Sequence, residues 1–418
     1  MRIILSNYRY FISGGPEKYL FAIKPMLEAN GHEVLPFSVR SARNVPNPFE
    51  KRFLSPIADE HSVYAHEYRK TPMTILRLLS RQFYCPEAFL KARAFADFAR
   101  ADIAYSLQFM NKMSPAVLDG FKSRGLPVVL RVSDFSLICP QGHLFDGEQV
   151  CQLCLGGGFG NAVCKRCVNQ SVLGSSIKAA ALAMHRLLRC RDRIDAFAFP
   201  ARFTLERFAE AGFPREKLHL LPTFTDASRV EPSYGEGGHI LYFGRFVVEK
   251  GVHHLLQAYS TIRGDKPKLV LVGGQGETEY ARSLQRQLTP DMELHEFMTK
   301  EELAGHIRAS RCVVIPSIWY DNLPNVLLEA YAHGKPVIAP DHGCFSELVR
   351  DGQTGLLYKA ADVGDLREKL IWAMEHPAQL AQLGRKAREH LDTEFSPKAH
   401  YDTLMTILRS VLKTSWGG

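Results

Sequence analysis

Residues 312–358 read CVVIPSIWYDNLPNVLLEAYAHGKPVIAPDHGCFSELVRDGQTGLLY. Cys312–Pro316 is a short apolar run with β-branched residues, which predicts a buried parallel strand. Asn322, Leu323 and Pro324 open a helix over Asn325–His333 that Gly334 closes, and Lys335–Ala339 predicts the next strand. The Asp341-His342-Gly343 turn then leads to a helix start near Ser346. This alternation is that of a doubly wound sheet, whose strand ends build ligand sites. Asp321 and Glu329 are eight positions apart, roughly two turns of helix, at the two ends of one strand-helix unit. Carboxylates so placed can accept hydrogen bonds from sugar hydroxyls; the alternative for Asp321 is a helix-start capping residue.

The same alternation runs both ways along the chain. Arg2–Ser6 predicts a first strand, Gly14-Gly15-Pro16-Glu17 opens a helix running to Asn30-Gly31 that Pro25 should kink or interrupt, and His32–Ser38 predicts a second strand. Ala101–Ser106, Pro127–Val132, Ala196–Pro200 and Lys217–Pro222 continue the strand pattern, with a Phe203–Gly212 helix between the last two. Arg40–Tyr84 lacks steady periodicity and predicts loops and short helices. Around Glu231–Gly238 the hydrophobic pattern gives way to turn residues, which marks an interdomain linker. A second alternation begins with a His239–Phe243 strand, a Gly251–Ile262 helix and a Lys268–Val272 strand. The expected organisation is a domain over 1–230, a second over 231–396, and a final helix over 397–418 crossing back to the first. No period of 20 to 50 residues recurs, which excludes a solenoid.

Two glycine-rich turns follow strands of the second half. Gly244-Arg245-Phe246-Val247-Val248-Glu249-Lys250-Gly251 places two cations where a helix begins, a position that disfavours cations unless an anion is bound there. Gly273-Gly274-Gln275-Gly276 lets backbone approach a ligand closely.

These segments together resemble the retaining GT-B glycosyltransferases of family 4, strongly over His239–Tyr358 and more loosely over Arg2–Val34 and Pro127–Phe224. The resemblance implies an α/β GT-B fold, two Rossmann-like doubly wound domains facing across a cleft. It aligns Asp321 and Glu329 with the family's two spaced carboxylates, with Asp in place of the first Glu, and implies sugar and ribose contacts respectively. It implies that Arg245 and Lys250 clamp the donor diphosphate, which gains charge as the glycosidic bond breaks. Gly14, Gly15, Gly274, Phe297, Asn325 and Glu347 are implied in donor binding, and Glu17, Ser133 and Asp134 near the sugar or acceptor. Ser133 stands where the family has His, and turn capping is the alternative for Asp134. The implied activity is retaining transfer of a hexose from a UDP- or GDP-sugar to a hydroxyl of a glycan acceptor, lipid-linked and for a bacterial surface polysaccharide, with no metal in catalysis. The double departure at Ser133 and Asp321 leaves open a nucleotide-sugar-binding partner subunit with little turnover, and a sugar-nucleotide epimerase is a weaker third reading.

Five of the nine cysteines fall in 29 residues, as Cys139 and the paired knuckles Cys151-x2-Cys154 and Cys164-x2-Cys167. Paired knuckles predict a structural zinc on Cys151, Cys154, Cys164 and Cys167, with His143 able to replace one thiol. Disulfides and an iron-sulfur cluster are the alternatives. No aromatic-basic platform accompanies the knuckles, which argues against nucleic acid as a partner.

Charge is uneven: residues 1–230 hold 31 Lys and Arg against 20 Asp and Glu, and residues 231–418 hold 21 against 24. A basic first half suits a phosphate-bearing acceptor or the cytoplasmic leaflet. Arg69–Tyr84 and Ile177–Arg193 are basic with apolar residues at helical spacing, so each predicts either a helix lying in a membrane interface or one packed on its own domain with solvated arginines. No apolar run approaches the roughly 20 residues of a spanning helix, and Met1–Ser6 reads as a strand and not as a secretory leader. The expected location is cytoplasmic, peripheral on the inner face of the plasma membrane.

Overall fold

Strands whose consecutive residues are all apolar must be covered on both faces, and the described residues form two sheets of them. The structure is a computed structural model that describes residues 1–64, 67–69, 71–235, 237–274, 278–296 and 298–416. In the first sheet Ile3, Ile4 and Leu5 are each wholly buried. Its strands are β1 (Arg2–Asn7), β2 (Glu33–Phe37), β3 (Ile103–Gln108), β4 (Val128–Arg131), β5 (Ala196–Phe199) and β6 (Leu218–Leu220), in the order β2-β1-β3-β4-β5-β6. The second sheet holds β7 (His239–Phe243), β8 (Lys268–Val272), β9 (Met292–His295), β10 (Ser310–Val314), β11 (Val337–Pro340) and β12 (Gly355–Tyr358), in the order β12-β11-β10-β7-β8-β9. Every pairing in both sheets is parallel.

The two faces of the second sheet carry separate cores. Leu241, Phe243, Val270 and Val313 pack on one side, and Ile240, Tyr242, Leu269 and Cys312 on the other, as the two-residue period of a strand requires. The last helix, Pro397–Trp416, contributes Leu404, Met405, Ile407 and Leu408 to the core of the first sheet. His400 fixes it there, its Nε2 2.8 Å from the Tyr19 hydroxyl and its Nδ1 2.6 Å from the Pro222 carbonyl.

Several local expectations shift. The Gly15–Ala29 helix runs unbroken through Pro25, because Leu20, Ile23 and Leu27 are buried on either side of it and that packing outweighs the lost hydrogen bond. β10 begins at Ser310, two residues before the predicted strand, and ends before Pro316, which has no N–H to extend the ladder. The helix predicted within Ile177–Arg193 spans Val172–Leu187. The Pro72–Gln82 helix buries Arg81 and exposes Met73, Ile75, Leu76 and Leu79. Arg69 and Arg77 are solvated as the packed alternative expects, but Arg81 turns inward and donates to the Glu87 carboxylate and the Ser55 carbonyl, both at 2.9 Å. No helix among the described residues is long and apolar enough to cross a membrane.

Candidate functional site

In the second sheet the connections leave β7 and β10 toward opposite edges, so a crevice opens between their carboxyl ends. The chain leaving β7 makes a 3-10 turn, Val248–Lys250, closed by Gly251 at φ 64°. A Cβ on Gly251 would lie 2.0 Å from the Pro316 carbonyl oxygen, so only glycine lets the two strand ends approach. Gly273 follows the same logic at φ 144°, with a Cβ 1.8 Å from the Gly244 carbonyl oxygen. Gln275, Gly276 and Phe297 lie outside the described residues.

Lys250 Nζ donates to both oxygens of Asp321, at 2.7 and 2.9 Å, and Ser317 Oγ donates to Asp321 Oδ2 at 2.9 Å. Asp321 is 6% exposed. It does not cap the Asn325–Ala332 helix, whose N-cap is Pro324 with no side-chain bond, because its oxygens are committed to Lys250 and Ser317. Arg245 has a half-exposed side chain, and its guanidinium stands 3.9 Å from Glu249. The crevice therefore presents one engaged cation and one open to a ligand.

Across the cleft, Lys18 Nζ lies 3.3 Å from Glu329 Oε1. A Cβ on Gly15 would come 3.3 Å from Asn325 Nδ2, so the starts of the Gly15–Ala29 and Asn325–Ala332 helices face each other. Glu17 is 1% exposed and accepts from Ser13 Oγ at 3.0 Å; it shapes the loop beneath the glycines and does not line the cleft. Glu347 accepts from the Phe203 amide at 3.4 Å and so caps the Arg202–Glu210 helix of the first domain, while burial pushes its carboxyl above the usual range. Asn322 also bridges the domains, donating to the Val132 carbonyl at 3.0 Å and accepting from Thr204 Oγ1 at 2.8 Å.

Ser133 and Asp134 follow β4. Ser133 Oγ is buried without a partner. Asp134 accepts from the Ser136 amide at 2.8 Å and from Gln108 Nε2 at 3.1 Å, a turn-capping arrangement at the cleft wall.

The cysteine segment is arranged differently from the expected quartet. Cys164 ends the short Gly160–Cys164 helix and is exposed. The thiols acting on Cys154 are those of Cys139, Cys151 and Cys167, and burial pushes the Cys154 thiol up to about 11. Among the described residues no three His, Cys, Asp or Glu side chains are grouped so as to hold a metal ion. A small apolar cluster of Cys154, Phe159, Ala162, Ala179 and Leu182 packs the segment. Its turns reach the cleft. Gln152, inside the first knuckle, donates to the Tyr320 hydroxyl at 3.1 Å.

His143 is the residue that motif reading did not find, having been grouped with the thiols. Its ring meets that of Trp319 edge to face at 5.0 Å, and Lys250 Nζ stands 5.3 Å from the same indole. It keeps solvent access although protein surrounds it. Burial holds its imidazole below the usual value, with Asp134, Glu249 and Asp321 opposing and Arg245 reinforcing. A Gly-His turn ten residues past Ser133 was the available signal, and only the tertiary fold gives it meaning.

Two parallel-sheet Rossmann-like domains with a site between them are the GT-B arrangement. The likeness extends to solved structures: Anabaena HepE in complex with UDP, at TM-score 0.65 and 17% identity over 98% of this chain and 100% of that one, and sucrose-phosphate synthase from Thermosynechococcus elongatus, at 0.68 and 17% over 99% of each. Residues 224–390 match the family model described as Glycosyl transferases group 1. The GDP-mannose-dependent monoacylated alpha-(1-6)-phosphatidylinositol monomannoside mannosyltransferase of Corynebacterium glutamicum is 26% identical over 246 residues, 54% of this chain and 64% of that relative. The match thus spans somewhat less than two thirds of that curated relative's length.

Proposed function

We propose that the protein is a glycosyltransferase that moves a hexose, with retention, from a nucleoside diphosphate sugar to a hydroxyl of a glycan acceptor. The observation that carries this is the Lys250–Asp321–Ser317 group at the β7/β10 crevice, with Arg245 open beside it. A ligand diphosphate would take Arg245 and draw on Lys250, and Asp321, so released, could accept from a sugar hydroxyl. Glu329, at the rim beside Lys18, suits the ribose. Arg245 and Lys250 supply the positive charge that a departing diphosphate needs, and no metal enters this reading. The group 1 match over the C-terminal domain supports the donor half of the reading.

The acceptor is proposed to be lipid-linked and reached at the surface of a bilayer. The outward apolar side of the Pro72–Gln82 helix, where Leu76 is 60% exposed beside Arg77, supports this.

Purified protein should bind one of UDP- or GDP-hexose and release nucleoside diphosphate slowly, faster with acceptor. Lys250→Ala or Arg245→Ala should lower turnover at least ~10-fold, since a lost charge-assisted contact is worth ~1.5 to 3 kcal/mol in the transition state. Unchanged turnover in both variants defeats the assignment, and tight donor binding with no release in the native chain would mark a partner subunit instead.

A further inference from the structure

The first sheet has its own switch point, between β1 and β3, from which the connections leave toward opposite edges. Open α/β sheets bind ligands in the crevice beyond the carboxyl ends of such a pair. Tyr8 and Arg9 follow β1, while Asn111 and Lys112 follow β3. A groove opens there, lined in part by Tyr8, Arg9, Arg40, Ser41, Ser62 and Lys112.

Cations gather at the groove: Arg9 stands 3.9 Å from Glu17 and Arg40 3.8 Å from Glu60, while Lys112 in its wall and Lys178 near it have no carboxylate partner among the described residues. Lys112 Nζ donates to the Val63 carbonyl at 3.1 Å and to the Tyr68 hydroxyl, both neutral. Lys178 Nζ donates to Asn111 Oδ1, also neutral. Neither lysine forms an ion pair among the described residues. Burial holds Lys112 at about 8, and Arg9, Lys178 and Arg81 push it the same way against Glu67. Burial likewise holds Lys178 at about 8, against Asp134. Ammonium groups near enough to disfavour each other's charge, as Lys178 does that of Lys112, are unfavourable unless an anion is taken up between them.

We propose that this groove binds a phosphate group carried by the acceptor. Its anion would accept from Lys112, Lys178 and the Arg9 guanidinium, with the Tyr8 hydroxyl beside them. Fixed cations together with a hydroxyl donor match the charge and the three oxygens of a phosphomonoester better than they match a single carboxylate. The acceptor role rests on the transferase reading given above; the phosphate site itself does not.

The test measures binding without turnover, on the full chain with UDP in excess to occupy the second domain. Glycerol 3-phosphate stands for a free phosphomonoester, and phosphatidylcholine vesicles with and without phosphatidic acid for a lipid one. Wild type should bind at least one of these probes, and Lys112→Met with Lys178→Met should weaken that binding at least ~10-fold while UDP affinity stays unchanged. Binding of the free phosphomonoester assigns a soluble acceptor phosphate, and binding of the phosphatidic acid vesicles alone assigns a lipid one. The double variant should be no less heat-stable than wild type, since methionine relieves the unpaired charges. In wild type, inorganic phosphate should protect both lysines from reductive methylation, which needs no variant to fold. Binding of neither probe, or equal binding by the double variant, overturns the proposal. Loss of UDP binding with glycerol 3-phosphate binding intact would instead refute the donor reading and leave this site standing.

Discussion

His143 stands between the two domains with Asp134 on its own side and Arg245, Glu249 and Asp321 opposite. Because burial keeps the ring neutral near pH 7, it offers one donor and one acceptor, which suits a sugar hydroxyl better than a phosphate. His143→Ala should therefore reduce kcat/KM about 10-fold, the worth of roughly 1.4 kcal/mol of hydrogen bonding, with UDP affinity unchanged. His143→Gln should recover part of the loss, and equal loss of UDP binding would show a merely structural role. Local sequence carried Lys250 and Asp321 because they belong to a spaced motif, and the structure pairs them at 2.7 Å. It did not carry His143, whose meaning depends on Trp319, 176 positions away. Glu347 illustrates the converse. A motif position implied donor contact, while its observed partner is a helix of the other domain.

At the scale of single elements, strands were the most legible part of the chain, since uninterrupted apolar runs have few other uses in a doubly wound fold. Helices that face solvent or a ligand were less so. The Pro72–Gln82 helix shows why: its composition is amphipathic, but composition does not say which side packs. Arg81 goes inward because Glu87 and the Ser55 carbonyl receive its guanidinium, and that turns Met73, Ile75, Leu76 and Leu79 out. Ile75→Ser with Leu76→Ser should weaken flotation with anionic vesicles at least ~10-fold, because each buried aliphatic side chain contributes about 1.5 to 3 kcal/mol. Nucleotide binding should be unaffected. Equal flotation of the variant would remove this helix from membrane contact. The cysteine knuckles illustrate a related limit of spacing, which does not reveal that Cys164 ends on the outer side of a five-residue helix.

Across the whole molecule, stability should respond to acid through histidines that folding keeps neutral. Burial lowers His400 to about 3 and His333 to about 4, below the value of about 6.5 in an unfolded chain. The unfolded state therefore takes up these protons first. Their contribution is complete above about pH 6.5 and is lost as pH falls toward the folded values, by up to about 1.4 kcal/mol per pH unit for His400. Thermal unfolding between pH 7.5 and 4.5 should show that slope, and His400→Gln should destabilise at pH 7.5 while flattening it; an unaltered slope would exclude His400 as a source. The same residue belongs to the helix that returns to the first sheet, and this has a bearing on biosynthesis. The seat for Leu404, Met405 and Leu408 is made by residues translated far earlier. At roughly 5 to 20 residues per second, that seat waits on the order of ten to a few tens of seconds at the ribosome with its apolar surface uncovered. The first domain is thus the earliest to begin folding and among the last to finish, and a chaperone that shields nascent chains would find its target there.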